Sequence, residues 1–148
     1  MKTRIASLLL AFALMLASIP YGRIAVSASA ASAHDVSLLA HLVYAEARGE
    51  VYKGKVAVAA VVLNRVRSSK FPNTVSGVIY QKNAFSSVAN GQINKGPDSE
   101  CTRAAREALN GWDPTGGCLF FYNKKDIKST WILSRKVKLT IGNHSFAV

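Results

Sequence analysis

The sequence predicts a small, mainly helical α+β domain behind an N-terminal leader. Three observations carry that reading. Apolar residues between Asp35 and Ala47 recur at helical spacing. An unbroken apolar run, Val56 to Leu63, follows soon after. Pro97-Asp98 then opens a second amphipathic pattern, beyond which the chain turns β-like.

The leader begins with the positive segment Met1-Lys2-Thr3-Arg4 and continues through the apolar stretch from Ile5 to Ile19, closed by Pro20. Small residues then offer cleavage sites at Ala28-Ser29-Ala30 and Ala31-Ser32-Ala33. Residues 1–33 are therefore expected to be a secretory signal peptide, and residues 34–148 a single domain. No later apolar run reaches spanning length, so no stable membrane span is expected after cleavage.

Val36, Leu39, Ala40, Val43 and Ala47 form the stripe of the first helix, with Asp35 as N-cap and Gly49 as stop. Residues Tyr52 to Arg67 read as a second helix, buried on most sides. Asn64 on that helix needs a hydrogen-bonding partner or a ligand, because an unpaired buried amide costs about 1–3 kcal/mol. Thr74 caps a short helix from Val75 to Tyr80. Asn90-Gly91 between short β-like runs signals a hairpin over residues 83–93. Cys101, Ala104, Ala105, Ala108 and Leu109 mark the third strong helix, ended by Gly111. Cys118 to Tyr122, Trp131 to Ser134 and the end segment to Val148 read as β-structure.

The chain has 19 basic and 8 acidic residues. Three of the basic ones, Lys2, Arg4 and Arg23, lie in the leader, so residues 34–148 keep 16 against 8, a balance of +8. For an exported protein that charge points to an anionic wall polymer as partner and away from nucleic acid. The basic residues are scattered, without the aromatic interleaving of a single-strand groove. Cys101 and Cys118 form either one disulfide or a pair of buried thiols. Two cysteines are too few for a zinc cage. His41 and Glu46 point about 140° apart on a helix, which argues against a metal site, and no cofactor is expected.

Glu46 is the main catalytic candidate. It lies about 75° from the centre of the first helix's stripe, at the border of core and cleft. A carboxyl held against apolar side chains keeps its proton, and that is what protonating a glycosidic oxygen requires. Phe85, Ser86, Ser87 and Gln92 on the expected hairpin, with Tyr122 and Asn123, are candidate cleft contacts.

Several strings taken together resemble the catalytic domain of the spore cortex-lytic cell-wall hydrolases, the SleB/CwlJ group. They are Tyr44-Ala45-Glu46-Ala47-Arg48-Gly49-Glu50, the run from Val56 to Val66, Phe71-Pro72-Asn73-Thr74-Val75, Ala84-Phe85-Ser86-Ser87-Val88, Asn110 to Gly116 and Ile141-Gly142-Asn143-His144-Ser145-Phe146. The cysteine pair is not a feature of that pattern. The resemblance implies a lysozyme-like, transglycosylase-type domain with a short β-element lining a glycan cleft. It implies cleavage between N-acetylmuramic acid and N-acetylglucosamine in peptidoglycan, and it places the family glutamate on Glu46. Glu50 is then structural, or holds Arg48. The expected location is outside the cell, in the wall or in the spore cortex or coat.

Ordinary glycosidases need a second carboxylate roughly 5–9.5 Å from the acid. Asp35, Asp98, Glu100, Glu107, Asp113 and Asp126 read as caps, turns or solvated faces. A lytic transglycosylase avoids the need, because the muramic C6 hydroxyl closes on C1. The competing readings are a vegetative autolysin, an N-acetylmuramoyl-L-alanine amidase, and a cationic wall-binding or spore-coat structural protein.

Overall fold

The computed structural model describes residues 32–127 and 129–148, so nearly all of the expected leader lies outside the described residues. The first helix, α1, spans Ala33–Ala47. Its N-cap is Ser32, whose Oγ accepts a hydrogen bond from the Asp35 backbone N–H at 3.0 Å. Asp35 is therefore the acid of the first turn, not the cap. Both residue types suit a helix start, and the hydroxyl three residues earlier takes the capping position.

The second helix, α2, spans Tyr52–Arg67, and every residue from Val56 to Leu63 is buried. The short α3, Val75–Ile79, is capped by Thr74. α4 is Ser86–Ala89, followed by a 3-10 turn at Gln92–Lys95. These replace the expected hairpin. Gly91 takes φ +75° as the cap of the 3-10 turn, and Asn90 Oδ1 accepts from the Gln92 N–H. Asn-Gly here ends a helical turn instead of reversing a strand. α5, Ser99–Leu109, starts at Asp98, whose Oδ1 takes the Cys101 N–H at 2.7 Å. α1, α2 and α5 pack on one another through Leu39, Leu42, Val43, Val58, Val62, Ala104 and Ala105.

The β-structure lies at the C-terminal end: β1 Phe120–Asn123, β2 Val137–Ile141 and β3 His144–Ala147, antiparallel in the order β1-β3-β2. The hairpin of the domain is thus β2–β3, turning at Gly142-Asn143. The expected strand at Trp131 to Ser134 is instead a 3-10 turn, Thr130–Ser134. Both edges of β3 are already paired, and the Arg135 guanidinium sits 4.8 Å from the Phe120 ring and 4.4 Å from the Trp131 ring, which pins the turn across β1. Cys101 and Cys118 are buried free thiols, the second of the two alternatives above. Cys118 Sγ turns toward the Thr115 carbonyl.

The partner that Asn64 requires is Asp113. Asn64 Nδ2 donates to Asp113 Oδ2 at 2.9 Å and to the Cys118 carbonyl at 3.1 Å. Asp113 also accepts from the Thr115 backbone and hydroxyl and from the Gly117 N–H. A second tie joins the α1–α2 loop to the β2–β3 turn. Glu50 accepts from the Asn143 backbone N–H at 2.9 Å and from Asn143 Nδ2 at 3.0 Å. Glu50 thus holds Asn143, while Arg48 lies over the Tyr44 ring. Gly142 has φ +57°, and a Cβ there would fall on the Glu50 carboxylate. Gly142→Ala is therefore expected to cost more than about 1 kcal/mol, read as a lower Tm, with backbone strain and a displaced carboxylate acting together.

Candidate active site

The end of α1, the loop after it, α4 and the sheet enclose one open cavity of about 750 Å3. Glu46 reaches it because α1 presents that position at the edge of its buried stripe, beside Leu42 and Val43. It is half-buried, and its Oε1 is shielded from solvent without a hydrogen-bond partner among the described residues. α4 contributes Ser86, Ser87 and Asn90, and Gln92 follows from the 3-10 turn. β1 contributes Phe121, Tyr122 and Asn123, and β3 contributes His144. The segment after β1 closes the far side with Asp126, Ile127, Ser129 and Ile132.

Of the contacts expected from the sequence, Ser86, Ser87, Gln92, Tyr122 and Asn123 line the cavity with Glu46. Phe85 does not. It is buried behind the wall, its ring 6.3 Å from that of Phe121 and 5.2 Å from the Arg65 guanidinium. Its apolar bulk suits the core better than a wet cleft. His144, Glu50 and Asp126 also line the cavity, although the sequence reading assigns His144 no role, makes Glu50 structural or a partner of Arg48, and places Asp126 among caps, turns and solvated faces. The signal for His144 was present in the closing Asn143-His144 string, although nothing local to it shows that it meets α1.

Two further buried polar atoms on the lining have no partner among the described residues: Ser87 Oγ and His144 Nδ1. Buried polar groups are normally paired, so unpaired ones gathered on a single cavity mark where a polar ligand would complete them. Arg65 lies behind the site, its guanidinium within 5.2–5.6 Å of the Phe71, Phe85 and Phe120 rings. Its Nε donates to the Leu119 carbonyl at 2.7 Å. Burial pushes its pKa down to about 10, opposed by Glu46, so it stays cationic at neutral pH.

Burial raises the pKa of Glu50, but the two Asn143 donors and nearby His144 more than offset it, leaving it below its ordinary value. Asp113 behaves likewise through Thr115, Asn64 and Gly117, and Asp98 is lowered chiefly by the Cys101 N–H. His144 is lowered by burial, opposed by Glu50, Glu46 and Asp126. All four groups bind protons less readily folded than unfolded, so stability rises with pH across their titrations. The contribution is complete above the ordinary values of 6.5 for His144, 4.5 for Glu50 and 3.8 for the aspartates. It is lost as pH falls through the lower folded values. Thermal melts from pH 7 to pH 3 should show a falling Tm, and a flat or rising one would contradict this assignment.

Among the described residues no group of three or more His, Cys, Asp or Glu is placed to hold a metal ion. His41 Nδ1 lies 2.9 Å from the Ile93 carbonyl, and His34 is exposed. No helix among them is long and apolar enough to cross a membrane.

A helical domain whose first helix carries a half-buried carboxyl to the wall of a polar cleft, backed by a small antiparallel sheet, belongs to the lysozyme-like class. The cell wall hydrolase family model matches residues 49–147, and the chain belongs to that family. The match begins just beyond Glu46. A spore cortex-lytic enzyme of Bacillus cereus is 51% identical over 115 residues, covering 78% of this chain and 44% of that protein. The chain therefore spans less than half the length of that relative. The crystal structure of the catalytic domain of Bacillus cereus SleB superposes with a TM-score of 0.73 at 50% identity, covering 79% of this chain and 91% of that one. The catalytic domain of the germination-specific lytic transglycosylase SleB from Bacillus anthracis gives 0.75 at 50% identity, covering 79% and 96%.

Proposed function

We propose that this protein cleaves peptidoglycan glycan strands between N-acetylmuramic acid and N-acetylglucosamine, as a lytic transglycosylase acting on spore cortex, with Glu46 as the proton donor. The observation that carries the reading is the unpartnered, shielded Oε1 of Glu46 on the wall of a cavity large enough for sugar residues. Similarity to spore cortex-lytic enzymes and to a germination-specific lytic transglycosylase supports the reaction and the substrate. The expected leader would export the chain to where that substrate lies.

Protonated Glu46 gives its proton to the bridging oxygen, and the bond from that oxygen to muramic C1 breaks. The C6 hydroxyl then attacks C1 and loses its proton, leaving a 1,6-anhydro ring. The Glu46 carboxylate formed in the first step is one acceptor for that proton. Glu50 is poorly suited to act as a nucleophile, because both its oxygens are held by Asn143. Asp126 is exposed at the rim of the cavity, and hydrolysis assisted by it is the second reading.

Mass spectrometry of muropeptides released from decoated spores and from vegetative sacculi tests the proposal. Anhydro-muramic ends, in higher yield from cortex, are the expected result. Reducing muramic ends would establish hydrolysis, free peptides with intact glycan an amidase, and binding without release a wall-binding protein. A better yield from vegetative sacculi would move the role to an autolysin.

A further inference from the structure

His144 is the buried titratable group of the cavity that the proposed reaction leaves unused. It sits on β3, paired with Asn123 of β1 on one side and Ile141 of β2 on the other. The Phe121 ring meets it edge-on at 5.3 Å, so its plane is fixed. The residue is only 6% exposed, yet it lines the same cavity as Glu46. The groups facing it are Glu50 from the α1–α2 loop, Glu46 from α1 and Asp126 from the segment after β1.

Nδ1 is shielded from solvent, has no hydrogen-bond partner among the described residues, and lies 3.9 Å from Glu50 Oε1. That is too long for a hydrogen bond. It is short enough for the carboxylate to favour the tautomer whose proton is on Nδ1, since the alternative sets a lone pair against an anion. Glu50 cannot drift away, because Asn143 holds both its oxygens and the glycine before Asn143 leaves room for them. The Nε2 lone pair is then the one available to accept a proton. A carboxylate fixed behind an imidazole is how a neutral histidine is oriented and its cation stabilised when it acts as a base.

Resting on the glycan-cleaving reading above, we propose that His144, oriented by Glu50, is the catalytic base that takes the proton of the attacking hydroxyl. Glu46 protonates the bridging oxygen as the C1–O bond breaks. As the C6 oxygen bonds to C1, its proton passes to Nε2, giving imidazolium. Turnover ends when His144 loses that proton and Glu46 regains one, so the protein is unchanged overall. Burial disfavours the charged imidazole and keeps the base free at neutral pH. The three carboxylates around it then stabilise the cation once it forms. Glu50 is a positioning residue in this scheme, acting through His144.

The pH dependence of anhydro-end formation separates this from a mechanism in which Glu46 works alone. A lone acid that must be protonated gives a rate that falls only as pH rises. A neutral histidine base adds an acid limb, with its midpoint below 6.5. His144→Gln should lower the rate about 100-fold and abolish that limb, while the anhydro product is kept. Glu50→Gln keeps a side-chain oxygen for Asn143 but removes the anion, so the acid limb should move to lower pH. The wild-type profile alone can overturn the proposal, if the rate shows no acid limb at any pH below 6.5 at which the melt shows a folded protein. A His144→Gln rate within threefold of wild type would also overturn it, as would an acid limb that Glu50→Gln leaves in place. In each of these cases wild-type anhydro ends would leave the glycan-cleaving reading standing, whereas their absence would remove both.

Discussion

Glu46→Gln is expected to reduce the release of anhydro-muramic ends by about 10²- to 10⁴-fold, the range associated with losing a positioned general acid. It should leave the fold intact. The carboxyl is half-buried and Oε1 has no partner to lose, so the isosteric amide breaks no hydrogen bond formed by that oxygen. Tm should therefore stay within a few degrees of wild type, as expected for a change away from packed or paired groups. Glu46→Asp is the sharper companion. It keeps the acid but withdraws it by about one bond length, and a misplacement near 1 Å is enough to cost about 10²-fold. Two inactive, well-folded variants would tie the chemistry to a carboxyl at that depth in the cavity. If Glu46→Gln kept more than a tenth of the activity, the proton donor would have to be sought at Asp126, since Glu50 on the same lining is held as a carboxylate by Asn143.

The helical half of the domain was legible because its signals are local. The span of α2 follows from a long apolar run, and Asp98 and Thr74 announce the helices they cap. At the start of α1, Asp35 is a residue type that suits an N-cap, but Ser32, which falls within the expected leader, takes that position. Asn90-Gly91 shows a different limit: the dipeptide suits both a strand reversal and the join of two helical turns. Ser86, Ser87 and Gln92 still reach the cavity, since a polar cluster near a cleft can meet it from either backbone. Trp131 to Ser134 is β-like by composition, but it forms a 3-10 turn that Arg135 holds through the Phe120 and Trp131 rings, a contact no local pattern announces.

The part of the site that could not be read is the part made by distant pairs. Glu50 and Asn143 are 93 positions apart, and no pattern near either one names the other. The same applies to His144, whose environment comes from three separate segments. Asn64 lies between these cases. Its need for a partner followed from its place on a buried helix, but the identity of that partner did not.

Asp113 is that partner, and Asp113→Ala is expected to be the most destabilising of the substitutions considered. The carboxylate accepts from Asn64 Nδ2, the Thr115 backbone and hydroxyl, and the Gly117 N–H, at distances of 2.6–2.9 Å. Hydrogen bonds to a charged acceptor contribute about 1.5–3 kcal/mol each, but they are not additive, and some freed donors regain water. A loss of about 3 kcal/mol is expected, or roughly 10–15 °C in Tm for a domain of this size. The damage should propagate along the chain. The loop that Asp113 orders leads to Cys118 and Leu119, whose carbonyls hold Asn64 and Arg65, and then directly into β1 with its cavity residues. The variant should therefore bind glycan less well while still forming the same product. Asp113→Asn, which keeps one accepting oxygen, should fall between it and wild type. A double-mutant cycle with Asn64→Leu isolates the link between α2 and the loop, for which about 0.5–3 kcal/mol of coupling is expected. Strict additivity would mean that the Asn64 bond contributes nothing of its own, and that α2 positions β1 through Arg65 and its ring of phenylalanines instead.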